Sequence, residues 1–88
     1  MSRCMCVPKR FVYVLQSSLD LQQYYVGLTS DPIKRLAAHN AGESPHTARF
    51  RPWRPLLTME FAEEKRASAF ERYLKTGSGR EFARRHFR

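Results

Sequence analysis

The chain has few of the residues that mark secreted or membrane-spanning proteins. Only two cysteines occur, Cys4 and Cys6, too few and too close together to cross-link a fold or to complete a four-ligand zinc site. No stretch of 18 apolar residues is present, and residues 1–10 lack the apolar core of a signal peptide. We therefore expect a cytoplasmic protein with no membrane span and with both cysteines as free thiols.

Acidic residues are scarce relative to basic ones. Eight Asp and Glu are set against sixteen Lys and Arg, which leaves a formal net charge of +8. A surplus of this size attracts polyanions, and nucleic acid is the leading candidate partner. A basic surface without a specific target is the alternative, because charge alone does not indicate catalysis.

The 88 residues leave room for one domain with a modest core. We expect residues 1–9 to form a flexible basic lead-in and residues 10–88 to form the single domain. Residues 11–15 and 23–28 are short runs rich in β-branched and aromatic side chains, and they predict two strands that pair as a hairpin. Residues 56–61 predict a third strand.

The first helix is predicted to begin at Pro32, after a capping residue at Asp31, and to end near Asn40. Its apolar face is expected to consist of Ile33, Leu36 and Ala37. The opposite face, turned toward solvent or a ligand, carries Lys34, Arg35 and His39.

Two more helices are predicted after the third strand. One begins at Glu63 and Glu64 and stops at Gly77, and residues 78–81 have the spacing of a capping box that begins a last helix. The inward-facing side chains of that last helix are expected to be Phe82 and Phe87. Residues 43–55 are interpreted as a loop. The order β-β-α-β-α-α predicts an α+β fold in which helices cover three strands.

Three groups of residues could carry chemistry. Arg35 and His39 lie one helical turn apart and could hold and protonate a phosphate, although two solvated helix residues would have the same spacing. Tyr13 and Tyr25, from adjacent strands, are either packing residues or phenols made acidic by a cation. Glu71 falls within the apolar stripe of its helix and needs either a cationic partner or a metal ion.

Basic residues interleaved with aromatic ones are able to contact phosphates and to stack on unpaired bases. An alternative is that Trp53, exposed beside arginines, forms a protein-binding hot spot. The residues that we expect to bind nucleic acid are Lys34, His46, Arg49, Arg51, Arg54, Lys75, Arg80 and Arg84.

The order of these residues resembles the GIY-YIG nuclease superfamily over residues 11–85. The matching pieces are Val12-Tyr13, Tyr25-Val26-Gly27, Arg35-Leu36-x-x-His39-Asn40 and Glu71. Phe11 stands where the first motif usually begins with glycine. No Asn follows Asn40, although some members use an asparagine after the metal-binding glutamate.

The resemblance implies a three-stranded antiparallel sheet flanked by helices. It implies that Glu71 holds one Mg²⁺ or Mn²⁺ ion, that Tyr13 takes a proton from the attacking water, and that Arg35 stabilises the charge of the transition state. Tyr25 and His39 would position the phosphate and water or assist proton transfer. The catalytic set is thus Tyr13, Tyr25, Arg35, His39 and Glu71.

The resemblance therefore predicts a metal-dependent endonuclease that hydrolyses phosphodiester bonds. We expect DNA as its substrate, a preference for DNA structure over sequence, a role in repair or recombination, and a protein partner that supplies specificity. The alternative is a nucleic-acid-binding module of the same fold that does not cut.

Overall fold

A computed structural model describes residues 7–88 and shows an antiparallel sheet with helices on both faces. The strands are β1 (Phe11–Ser17), β2 (Tyr24–Thr29) and β3 (Trp53–Glu60). The helices are α1 (Pro32–Asn40), α2 (Pro45–Ala48), α3 (Glu64–Leu74) and α4 (Gly77–His86). β1 lies in the centre and pairs with both other strands. The predicted α+β fold is confirmed, with the short helix α2 added to the predicted order.

Side chains alternate along β1, so each face of the sheet has its own core. The face covered by α3 and α4 buries Val12, Val14, Ala67, Leu74 and Ala83, and the predicted inward residues Phe82 and Phe87 pack against them. The face covered by α1 and α2 buries Tyr13, Leu15 and Trp53.

The thiols Cys4 and Cys6, together with residues 1–6 of the predicted lead-in, lie outside the described residues.

Helix α1 begins as predicted but presents a different face to the sheet. Asp31 Oδ1 accepts a hydrogen bond from the backbone N–H of Lys34 at 3.1 Å. The predicted apolar face is wrong, because Ile33 is 84% exposed, Ala37 is exposed, and only Leu36 packs against the core. The helix instead buries His39, whose two ring nitrogens are both hydrogen-bonded and can therefore leave water without a large penalty.

The segment predicted as a loop contains α2 and the start of β3. The strand begins at Trp53, three residues earlier than predicted. Pro55 is accommodated because β3 is an edge strand and because its register against β1 shifts between Val14 and Leu15. The prediction of an exposed tryptophan is wrong, since Trp53 is 5% exposed and its Nε1 donates to the carbonyl oxygen of Thr47 at 2.9 Å.

Helices α3 and α4 meet at a tight turn. The cap of α4 is Thr76, whose Oγ1 accepts from the N–H of Gly79 at 3.1 Å, and the predicted cap at Ser78 is wrong. A Cβ at Gly79 would lie 1.8 Å from the carbonyl oxygen of Tyr73, so the turn requires glycine there. Within residues 7–88, no helix has the length and hydropathy needed to cross a bilayer.

Candidate active site

Tyr13 owes its position to a glycine on the neighbouring strand. Strand pairing places Tyr13 opposite Gly27, and a Cβ at Gly27 would lie 2.3 Å from both Cζ and Oη of the phenol. The ring of Tyr13 therefore lies directly over the backbone of β2. Any side chain at residue 27 would displace it.

The hydroxyl of Tyr13 begins a buried chain of hydrogen bonds. Tyr13 Oη lies 3.0 Å from Nε2 of His39, and Nδ1 of His39 lies 2.8 Å from Oγ1 of Thr47. Thr47 donates to the carbonyl oxygen of Ser44 at 3.4 Å, so we assign Nδ1–H as the donor to Thr47. Nε2 then accepts from the hydroxyl of Tyr13. The imidazole is neutral in this arrangement.

The pKa shifts of His39 and Tyr13 agree with a hydrogen bond donated by the phenol to the imidazole. Burial lowers the pKa of His39, and the charge of Arg35 lowers it further. Burial also raises the pKa of Tyr13, although the neighbouring Arg35 guanidinium partly opposes the rise. At neutral pH, Tyr13 is therefore protonated and His39 is uncharged, as a phenol donating to an imidazole requires.

Tyr25 and Arg35 complete a cluster with Tyr13 and His39, which we call the tyrosine cluster. The ring centroid of Tyr25 lies 6.1 Å from that of Tyr13 and 4.9 Å from that of His39. The phenol of Tyr13, followed by that of Tyr25, raises the pKa of Arg35, so this guanidinium keeps its charge beside two hydroxyl groups. The structure thus brings together four of the five predicted catalytic residues. His39 is fully buried, so the prediction that it faces solvent or a ligand is wrong.

Glu71 approaches the cluster from α3, and its negative charge contributes to the raised pKa of Tyr13, after the larger effects of burial and of Tyr25. Its side chain is 13% exposed and forms an ion pair with Lys75, one turn further along the helix. The sequence left two possible partners for Glu71, a basic side chain or a metal ion, and the structure shows the basic side chain, Lys75. A bound metal ion would take the place of the ammonium group.

Among the described residues, Glu71 offers a divalent cation one carboxylate and no closed set of protein ligands. Within residues 7–88, no three His, Cys, Asp or Glu side chains converge as a closed metal site. Mg²⁺ is commonly held by one or two carboxylates, with water and substrate phosphate supplying the other ligands. The single carboxylate of Glu71 fits an ion that the protein and its substrate hold jointly.

Half of the predicted nucleic-acid-binding residues line one groove of about 710 Å³ that also includes Tyr25. These four residues are His46, Arg49, Lys75 and Arg80. The other four lie elsewhere. Arg54 donates to Oε1 of Gln16, and Arg84 forms two hydrogen bonds with Glu81. Lys34 and Arg51 are exposed outside the groove.

Sequence reasoning missed two contributors to this region. Thr47, which orients His39, belongs to α2, and the pair Ser44-Pro45 could have indicated that helix because proline favours the first helical turn. Asn40 was seen only as part of a motif. Its side chain donates to the carbonyl oxygen of Trp53 at 3.0 Å and accepts from the Trp53 N–H at 2.6 Å, which fixes the end of α1 against β3.

Several proteins are similar to this chain. The Structure-specific endonuclease subunit SLX1 of Scheffersomyces stipitis is 43% identical over 67 residues, which are 68% of this chain and 20% of that protein. Its namesake in Meyerozyma guilliermondii is 38% identical over 71 residues, or 73% of this chain and 24% of that protein. A UPF0213 protein of Streptococcus pneumoniae is 35% identical over 68 residues, covering 76% of this chain and 67% of that protein.

This chain thus spans between about an eighth and a quarter of the length of the SLX1 relatives that it matches. No solved structure matches it. The family model described as the GIY-YIG catalytic domain matches residues 9–85, a stretch that includes the whole tyrosine cluster and Glu71. The resemblance found in the sequence is confirmed, and the chain belongs to the GIY-YIG catalytic domain family.

Proposed function

We propose that the chain is an endonuclease that hydrolyses phosphodiester bonds in DNA and requires one divalent cation, Mg²⁺ or Mn²⁺. The observation that carries the proposal is the hydroxyl of Tyr13 hydrogen-bonded to a buried neutral His39 beside the charge of Arg35. The name of the SLX1 relatives as structure-specific endonuclease subunits supports it. The words "structure-specific" and "subunit" also favour a preference for DNA structure and a protein partner. A role in repair or recombination is part of the proposal.

The hydrogen-bond chain gives the attacking water a route for its proton. Tyr13 Oη accepts the proton of the water while its own proton passes to Nε2 of His39, so the number of protons is conserved. His39 never reaches the substrate and works through Tyr13. Because its pKa is lowered, the protonated imidazole is short-lived and returns its proton to Tyr13, which releases one to solvent, while the leaving oxygen takes up a proton from solvent.

In this proposal, Arg35 and Tyr25 hold the scissile phosphate. The water oxygen forms a bond to phosphorus, and the bond to the leaving oxygen breaks with its electron pair on that oxygen. The guanidinium of Arg35 stabilises the added negative charge on the phosphate oxygens, and the hydroxyl of Tyr25 orients them. Glu71 would hold the divalent cation, which supplies further neutralisation of phosphate charge when bound.

The test is cleavage of labelled single-stranded, duplex, flap and branched DNAs in Mg²⁺ or Mn²⁺. Glu71→Gln removes the carboxylate charge, and Tyr13→Phe keeps the ring over Gly27 but removes the hydroxyl. We expect each variant to cut at least about 100-fold more slowly than the native protein. Glu64→Gln, an exposed change on the same helix, is the matched control and should cut at the native rate.

The alternative is a module of the same fold that binds nucleic acid without cutting it. It would be established if the native protein cuts none of the substrates while binding them with equal affinity before and after the Glu71→Gln change. Native cleavage that survives both Glu71→Gln and Tyr13→Phe would contradict the assigned roles.

A further inference from the structure

The groove beside Tyr25 crosses the edge of the sheet, and we call it the edge groove. It is lined by β2 and the turn before it, together with side chains from both helical layers. Within residues 7–88, β2 pairs with β1 alone, so its outer edge is free. None of the described residues that line the groove is acidic. Its basic side chains are His46, Arg49, Lys75, Arg80 and Arg88.

Two of these cations lie over aromatic rings. The guanidinium carbon of Arg88 is 4.1 Å from the ring centroid of Tyr24, and that of Arg49 is 5.0 Å from the ring centroid of Phe50. Both arginines are exposed. A guanidinium that lies over a ring and is held there by cation–π attraction is a planar, charged platform. Such platforms stack on unpaired bases while attracting the phosphates that link them.

We propose that the edge groove binds an unpaired strand of the nucleic acid, with bases against the two arginine–aromatic pairs and phosphates near Lys75 and Arg80. A paired base is covered on both faces by its neighbours, whereas an unpaired nucleotide offers a free face. Tyr25 belongs both to the groove and to the tyrosine cluster. The bond that is cut therefore lies beside a single-stranded segment, an extension that rests on the proposed nuclease function.

Binding is measured in EDTA, without cleavage, by the fluorescence anisotropy of three probes. These are labelled 12-nucleotide oligo-dT, 12-nucleotide oligo-U and a 12-base-pair blunt DNA duplex. The double variant Arg49→Lys/Arg88→Lys keeps both charges but removes both planar groups. Arg66→Lys, at an exposed position of α3 outside the groove, is the matched control.

We expect the native protein to bind at least one single-stranded probe more tightly than the duplex. The double variant should lose about tenfold in affinity for that probe, because it has lost both planar groups on which bases stack. Its affinity for the duplex and the affinities of Arg66→Lys should stay within about twofold of native, since charge is unchanged. The two single-stranded probes distinguish DNA from RNA.

Tighter native binding of the blunt duplex, or equal losses for duplex and single strand in the double variant, would overturn the groove assignment. The nuclease proposal fails separately. If the binding pattern holds but no DNA is cut in Mg²⁺ or Mn²⁺, the groove stands without the nuclease. If blunt duplex is cut as fast as substrates with unpaired segments, the nuclease stands and the placement of the cut beside the groove is wrong.

Discussion

His39 is a titratable side chain that the fold keeps neutral. Tyr13 donates to one of its nitrogens and Thr47 accepts from the other, so the uncharged ring is fully hydrogen-bonded. Protonation would turn Nε2 into a donor facing a hydroxyl hydrogen, beside the charge of Arg35. The folded state therefore disfavours a proton that the unfolded chain accepts readily.

This gives the stability of the protein a pH dependence. The pKa of His39 is lowered on folding, so its contribution to stability is complete above about pH 6.5 and is lost as the pH falls toward the folded pKa. We expect the Tm of the native protein to fall more between pH 7.5 and 5.5 than that of His39→Gln. His46→Gln, at an exposed position, should keep the native slope. Equal slopes for the native protein and His39→Gln would contradict this account.

Lys75 is paired with the Glu71 carboxylate, the group that would bind a metal ion. Its ammonium group is paired with Glu71, while its side chain is 53% exposed and lines the edge groove. In Lys75→Met, a metal ion would no longer have to displace a cation. Since a half-exposed ion pair contributes about 1 kcal/mol or less, Mn²⁺ should bind up to about fivefold more tightly.

Calorimetric titration of Mn²⁺ without nucleic acid measures this change. Lys65→Met, an exposed substitution on α3 and outside the groove, is the control and should bind Mn²⁺ as the native protein does. If Lys75→Met and the control bind Mn²⁺ equally, Lys75 does not compete with the ion.

The sequence was sufficient to select the members of the tyrosine cluster but not to predict their surroundings. The order of Tyr13, Tyr25, Arg35 and His39 along the chain marked them together. The burial of His39 depends on Thr47, which comes from a segment whose prolines and arginines indicated a loop. Because Thr47 lies in α2, the spacing of apolar residues in α1 does not indicate that His39 is buried.

At the scale of elements, the junction of α3 and α4 depends on one capping side chain. Thr76 Oγ1 accepts from the N–H of Gly79, whereas Ser78 lies inside the helix. Thr76→Ala should lower the free energy of unfolding by about 1 kcal/mol, the usual loss for a helix cap. Urea denaturation measures the change. Ser78→Ala is the control, and a loss as large as that of Thr76→Ala would show that the cap is assigned to the wrong residue.

Elements with a strong local signal were predicted well. β1 begins with four consecutive β-branched and aromatic residues, 11–14, and α1 has both a capping aspartate and a proline in its first turn. β3 was predicted too short because Pro52 and Pro55 look like strand breakers. The edge position of β3 and its register shift against β1, both properties of the paired strands, let Pro55 lie within the sheet.

For the whole molecule, the net charge of +8 matters through its placement. Arg80 faces the edge groove, whereas Arg84, one turn along the same helix, is hydrogen-bonded to Glu81. If four groove cations contact phosphates, the affinity for a single strand should fall about 50-fold as salt rises from about 50 to 200 mM.

Anisotropy titrations at several salt concentrations measure the slope of log affinity against log salt. Arg80→Gln should reduce its magnitude by about 0.7, the value for one lost phosphate contact on a single strand. Arg84→Gln should leave the slope at the native value. The same reduction in both variants would mean that net charge, and not the groove, governs binding.

The edge groove could not have been predicted from sequence. Its lining comes from β2, from α2 and the residues after it, and from the far end of the chain at Arg88. These segments carry no shared periodicity, and only the completed packing of two helical layers around one strand edge brings them together. Composition indicated an anionic partner, but the proposal that this partner is an unpaired strand rests on the folded shape of the groove.

The contact between Gly27 and the ring of Tyr13 also limits which substitutions the chain tolerates at these two positions. A larger residue at 27 displaces the ring, and a smaller residue at 13 makes room but removes the hydroxyl that bonds to His39. Neither position can be altered first without losing the arrangement. A substitution at either residue is therefore expected to disturb the other, although they lie on different strands and fourteen positions apart.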